Sequence, residues 1–273
     1  MRALSALVLA VPALAVVYVG APAFDLVFGL VALLMAFEWD RLCAGPRVTT
    51  GSRTTHSKND PATWALFAAV GACVLAAVLQ AHELALWLTP AGFAAVFVIA
   101  RGIDRRAPLL QALGALYIGI PLVALVWLRA DPQIGRLTLF WLLGLVWATD
   151  TGALFAGRTI GGPKLAPVVS PNKTWAGLIG GMAAAAALGA VFALFFDDAS
   201  VPLAMAVSAA LAAVAQGGDL AESLVKRHFG VKDSGALIPG HGGVFDRVDG
   251  LLAVAPVWAL VLLVGDGSWS LWS

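Results

Sequence analysis

Charge is scarce along this chain, yet Lys226, Arg227, Lys232, Asp233, His241, Asp246, Arg247 and Asp249 stand within one short run after Ser223. A charged group in or beside a bilayer costs roughly 2.5–3.5 kcal/mol on insertion scales unless it is paired or hydrated. So dense a cluster therefore points to use. Carboxylates hold hard divalent cations, and Lys or Arg neutralise phosphate oxygens. Together these are what phosphoryl and nucleotidyl transfer require, because that chemistry depends on positioning and charge neutralisation. The acids in question are Asp150, Asp219, Asp246 and Asp249; the bases are Lys173, Lys226, Arg227, Lys232 and Arg247. Asp246 and Asp249, three apart, would share a helix face, as would Asp219, Glu222, Ser223 and Lys226. Gly240-His241-Gly242-Gly243 offers backbone N–H groups suited to an anion. His241 itself reads equally as a phosphate donor or as a residue that positions its loop.

A second polar stretch lies upstream. Asp150 interrupts an apolar span, either paired with a base on a neighbouring helix or facing a polar cavity, the commoner role of intramembrane carboxylates. The segment Gly161-Gly162-Pro163-Lys164-Leu165-Ala166-Pro167 follows, then Ser170-Pro171-Asn172-Lys173-Thr174-Trp175. Thr174 suits a helix N-cap. Lys173, with Ser170 and Asn172, would project from that helix start toward a phosphate. Glu222 reads as half of a Glu222–Lys226 pair at a solvated helix end, and Asp219, deeper behind two glycines, as functional. The stretch from Glu38 to Pro61 reads as a flexible basic connection at the headgroup surface that sees no substrate.

The run from Ser223 to Asp249 resembles the signature of phosphatidate cytidylyltransferases, also called CDP-diacylglycerol synthases. Every fixed position of that pattern is met, by Ser223, Lys226, Arg227, Lys232, Asp233, His241, Gly242, Gly243, Asp246, Arg247 and Asp249. The stretch around Asp150, Lys164-Leu165-Ala166-Pro167 and Ser170-Pro171-Asn172-Lys173-Thr174-Trp175 resembles the same family. It departs from the family at Leu154, Val168 and Ala176, which concerns local contacts. The likeness covers about 137–265; the first half matches only in being several apolar spans. The resemblance implies the reaction CTP + phosphatidate → CDP-diacylglycerol + pyrophosphate. It implies Asp219, Asp246, Lys226 and Arg227 as catalytic groups. Substrate would be held by Ser170, Asn172, Lys173, Lys226, Arg227, Lys232, His241 and Arg247. Mg²⁺ would sit on Asp219 and Asp246, with Asp150 and Asp249 supporting it or holding a second cation such as K⁺. A homodimer is a further expectation of the resemblance; nothing points to a nucleic-acid partner.

These residues must be positioned by membrane helices. The 273 residues are 60% hydrophobic and 12% charged, against roughly 25% charged in soluble domains. An ordinary soluble globule is excluded, and the net charge of +1 says little about partners. Apolar runs predict nine helices near 3–20, 22–37, 63–80, 84–100, 108–129, 137–157, 175–196, 201–226 and 250–265. No strand alternation or repeat is evident, so an all-α, polytopic membrane protein is expected, with a polar active-site cavity facing the cytoplasm. Residues 1–129 would form N-terminal helices with basic loops, and 130–273 the catalytic region. With nine spans and a cytoplasmic amino terminus, every Lys and Arg except Arg129 and Arg136 falls on the inner side, as the positive-inside rule requires. The expected location is the inner, cytoplasmic membrane. Residues 1–20 exceed a usual signal h-region and are read as a retained helix. Cys43, in a loop, and Cys73, in a span, argue against a disulfide.

Two competing functions are weaker. Asp249-Gly250 superficially fits the start of a CDP-alcohol phosphotransferase motif, but Ala253 is followed by Val254 where that motif needs Arg. An ion-coupled transporter would show matched, Gly-interrupted spans in its two halves, which this chain lacks.

Overall fold

A computed structural model describes residues 2–44, 60–103, 107–235 and 242–265, and the side chains from residue 10 onward. Nine helices are found among them: α1 (Arg2–Val19), α2 (Ala23–Ala44), α3 (Pro61–Val78), α4 (His82–Gly102), α5 (Pro108–Ala130), α6 (Gly135–Thr159), α7 (Trp175–Ala193), α8 (Val201–His228) and α9 (Phe245–Val264). Their starts follow local chemistry. Asp60 accepts a hydrogen bond from the Ala62 N–H at 2.9 Å, and Pro61 takes the first helical position, where its missing N–H costs nothing. Seven helices, α3 to α9, are long and apolar enough to cross a membrane, so the chain is a multi-pass membrane protein. Large apolar side chains such as Trp87, Phe155 and Ile179 stay exposed on them, as lipid contact demands. α2 is long enough but carries Asp25, Glu38, Asp40 and Arg41.

The helical architecture is as expected, with one short hairpin beside it. β1 (Lys164–Ala166) and β2 (Ser170–Thr174) pair antiparallel, with Lys164 opposite Thr174 and Ala166 opposite Ser170. Pro163, Pro167 and Pro171 remove donors and hold the residues before them extended, which suits a short hairpin and bars a helix. Strands this short show no alternation a reader could count.

The chain forms two compact units. One comprises residues 1–20, 128–224 and 249–273; the other comprises 21–127 and 225–248. In the first, Trp141 donates to the Ser208 hydroxyl at 3.1 Å and meets Trp258 edge-on at 5.0 Å. The two exceptions to the charge pattern are held there by the end of α1. Arg129 donates to the Val17 carbonyl at 2.8 Å, and Arg136 lies 5.1 Å from the Tyr18 ring centroid, a cation–π contact. In the second, buried Asp40 accepts from Gln111 at 2.7 Å and from Thr63 at 2.9 Å. α2 runs on to Ala44, so Glu38 and Asp40, expected in a flexible surface connection, are helical and buried. Cys43 likewise lies in a helix, and neither cysteine forms a disulfide. Residues 45–59 of that connection lie outside the described residues.

Candidate active site

In the first unit the hairpin presents Lys173 to α8. Its ammonium lies 2.7 Å from Asp219 Oδ2 and donates to the Gln216 carbonyl at 3.4 Å. Ser223, one turn further on, donates to Asp219 Oδ1 at 3.3 Å. Thr174 accepts from the Gly177 N–H at 3.0 Å, so the predicted cap is present and holds the start of α7. Lys173 projects from a strand, however, where the sequence suggested a helix start. Strand period places Ser170 and Asn172 on the face opposite Lys173. Asn172 is exposed.

In the second unit α8 ends and the chain turns back. Gly230 has φ +70°, and the Val231 and Gly230 N–H groups donate to the Lys226 and Arg227 carbonyls, each at 3.0 Å. This is a Schellman closure, and it needs glycine at the left-handed position. Exposed Arg227 adds a hydrogen bond from Nη1 to the Val231 carbonyl at 3.3 Å. The turn brings Ser234 to the start of α9. Asp246 there accepts from Lys226 at 2.6 Å through Oδ1. Through Oδ2 it accepts from the Ser234 N–H at 3.1 Å, the Ser234 hydroxyl at 2.9 Å and the Gly243 N–H at 2.9 Å. The Lys226 and Asp246 side chains keep only 11% and 10% of their exposure, against 18% and 35% for Lys173 and Asp219.

The remaining candidates differ in exposure and partners. Lys232 and Arg247 are exposed. Asp249 accepts from its neighbour's Gly250 N–H at 2.7 Å, and Asp150 is exposed on α6. Glu222 is 3% exposed, so it is no solvated helix end, and Asp219 is the more open of the two. His241 lies outside the described residues. Among the described residues no three His, Cys, Asp or Glu side chains converge as a ready-made metal site. Sequence reasoning missed Glu38 and Ser234, and the Gly243 N–H, read there as a donor to an anion, donates to Asp246. The one available signal for Glu38 was its place beside Trp39 and Asp40 at the end of an apolar run.

Each cluster puts an ammonium against a carboxylate beside donors able to hold anions, an arrangement suited to gripping polyphosphate. The model of the cytidylyltransferase family matches residues 1–264, well beyond the half in which the motifs stand. A protein from Brucella suis named phosphatidate cytidylyltransferase is 41% identical over 264 residues, 97% of this chain and 92% of that relative. Proteins of the same name from Haemophilus influenzae and Bacillus subtilis are 45% and 40% identical over 165 and 148 residues. Those matches cover 56% and 53% of this chain, and 57% and 54% of the relatives.

Proposed function

Since this chain belongs to the cytidylyltransferase family and is a nucleotidyltransferase, we propose that it transfers CMP from CTP to phosphatidate, forming CDP-diacylglycerol and pyrophosphate. The observation that carries the substrate is the end-to-end likeness to a relative named for that activity. In this reaction a phosphate oxygen of phosphatidate attacks the α-phosphorus of CTP. A new P–O–P linkage forms, the bond from the α-phosphorus to the bridging oxygen breaks, and pyrophosphate leaves with that electron pair. The attacking oxygen is already ionised at neutral pH, so no general base is required. Lys173, Lys226, Arg227 and Lys232 neutralise the triphosphate and the lipid phosphate, with Ser170, Asn172, His241 and Arg247 as further substrate contacts.

Mg²⁺ fits the donors present. Asp219 and Asp246 each already face a cation, the ammonium of Lys173 at 2.7 Å and of Lys226 at 2.6 Å. Mg²⁺ is commonly held by one or two carboxylates plus substrate phosphates and water, so two acids are enough. Asp219 and Asp246 would hold it, Asp150 and Asp249 would support it or a second cation such as K⁺, and it would supply charge neutralisation on the phosphates. The lysines displaced from the two acids would then be available to phosphate.

For topology, we read all nine helices as crossing the inner membrane, with the hairpin and the 229–244 segment on the cytoplasmic side, where CTP is. The catalytic region is 130–273, and the protein is a homodimer. Purified protein incubated with labelled CTP and phosphatidate should yield labelled liponucleotide and pyrophosphate. Absence of both would overturn the assignment and favour a transporter or another lipid substrate.

A further inference from the structure

α9 begins without a cap of its own. The residue before Phe245 is Val244, whose side chain accepts no hydrogen bond, yet the first N–H groups of a helix need acceptors. They are met from α2. Glu38 accepts from the Val244 N–H through Oε1 at 2.9 Å and from the Phe245 N–H through Oε2 at 3.0 Å, across more than 200 residues of chain. An anion also suits the positive end of the helix dipole. Glu38 is 1% exposed, an expensive place for a carboxylate unless something needs it there. Its neighbour Trp39 holds the same spot by another means. The Trp39 ring lies 5.6 Å from that of Phe245 and 5.4 Å from that of Tyr117, and its indole N–H donates to the Leu110 carbonyl at 2.8 Å.

Two glycines leave room for the carboxylate. A Cβ on Gly243 would fall 2.7 and 2.8 Å from the two Glu38 oxygens and would collide with the Ser234 hydroxyl. A Cβ on Gly235 would fall 2.6 Å from Glu38 Oε1. Ser234 stands between the two acids: its hydroxyl lies 2.9 Å from Asp246 Oδ2 and 3.4 Å from Glu38 Oε2. With one hydrogen to give, it donates across the shorter distance, to Asp246. Glu38 thus holds the two N–H groups immediately after Gly243, while Gly243 and Ser234 hold Asp246.

We propose that Glu38 is a positioning residue for the reaction, a buried carboxylate that fixes the start of α9 and through it the orientation of Asp246. The proposal rests on the reading of Asp246 as an active-site acid. It also gives the second glycine of the His-Gly-Gly element a physical reason, close approach by a side chain from α2.

The test uses the full chain in lipid nanodiscs. Hydrogen–deuterium exchange over the 242–248 segment is measured beside kcat, KM for CTP and the Mg²⁺ activation curve. In Glu38→Gln the amide nitrogen cannot accept, so one of the two N–H groups loses its partner and exchange there should rise. Turnover should fall roughly 10–100-fold, the scale of changes that misorient ligands from outside an active centre. The Mg²⁺ requirement should move upward, and KM for CTP should hold. Glu38→Asp keeps the charge and should recover part of kcat. Gly235→Ala, whose Cβ would crowd the same carboxylate without touching Ser234 or Asp246, should raise exchange likewise and serves if Glu38→Gln does not fold. Unchanged exchange at Val244 and Phe245 would overturn the proposal. So would raised exchange with parental kcat and Mg²⁺ dependence, which would leave Glu38 a merely structural cap. A parent inactive on CTP and phosphatidate whose Glu38→Gln variant still exchanges faster would overturn the substrate assignment and uphold the hold on α9.

Discussion

Replacing Lys226 with Met and Asp246 with Asn, singly and together, isolates the energy of one ion pair; the same cycle on Lys173 and Asp219 isolates the other. The two pairs have nearly equal lengths, 2.6 and 2.7 Å, so burial should set their difference. Lys226 and Asp246 are about nine-tenths buried, where a charge-assisted hydrogen bond is worth about 1.5–3 kcal/mol. Asp219 keeps 35% of its exposure, and solvent screening lowers such a pair to roughly 0.2–1 kcal/mol. The coupling energies should therefore differ by about 0.5–2.8 kcal/mol, the buried pair being the stronger. Raising the salt concentration should erode the Lys173–Asp219 coupling and spare the other. The single variants should also be unequal. Lys226→Met leaves three donors on Asp246, from Ser234 and Gly243, whereas Asp246→Asn cannot satisfy them all and takes the anion from a buried lysine. Breaking a buried pair from that side costs about 3–5 kcal/mol. Reversible unfolding in mixed micelles, without substrate, would measure all four corners of each cycle. Coupling below about 0.5 kcal/mol for Lys226–Asp246, or equal coupling for the two pairs, would refute the argument from burial.

Other outcomes follow from the same geometry. Asp219→Asn and Asp246→Asn should each abolish most turnover while the protein still inserts; near-parental activity of Asp246→Asn at limiting Mg²⁺ would remove Asp246 from the metal's contacts. In a background without Cys43 and Cys73, a cysteine at exposed Gln133 should react with an impermeant thiol reagent in intact cells, and one at exposed Asn172 only after permeabilisation. Labelling of Asn172→Cys from outside would reverse the assigned orientation.

The sequence alone determined the helices, because a span of about twenty apolar residues is a local property and a bilayer makes helix its cheapest form. Predicted helices such as 108–129 and 201–226 lie within a few residues of α5 and α8. It determined the family as well, since the residues from Ser223 to Asp249 stand at fixed local spacing. Spacing also placed Thr174 at its cap. The hairpin was illegible because three- and five-residue strands carry no period, and α2 ran past its expected end because Glu38 and Asp40 are stabilised by partners far along the chain. Only the tertiary structure decided which lysine meets which aspartate. Packing set Asp246 against Lys226 and Asp219 against Lys173, pairs that join residues 20 and 46 positions apart. The role of Glu38 could not be read locally at all. A buried carboxylate and a helix start without a cap each look like a defect in sequence, and only folding brings together the acceptor on α2 and the N–H groups at the start of α9.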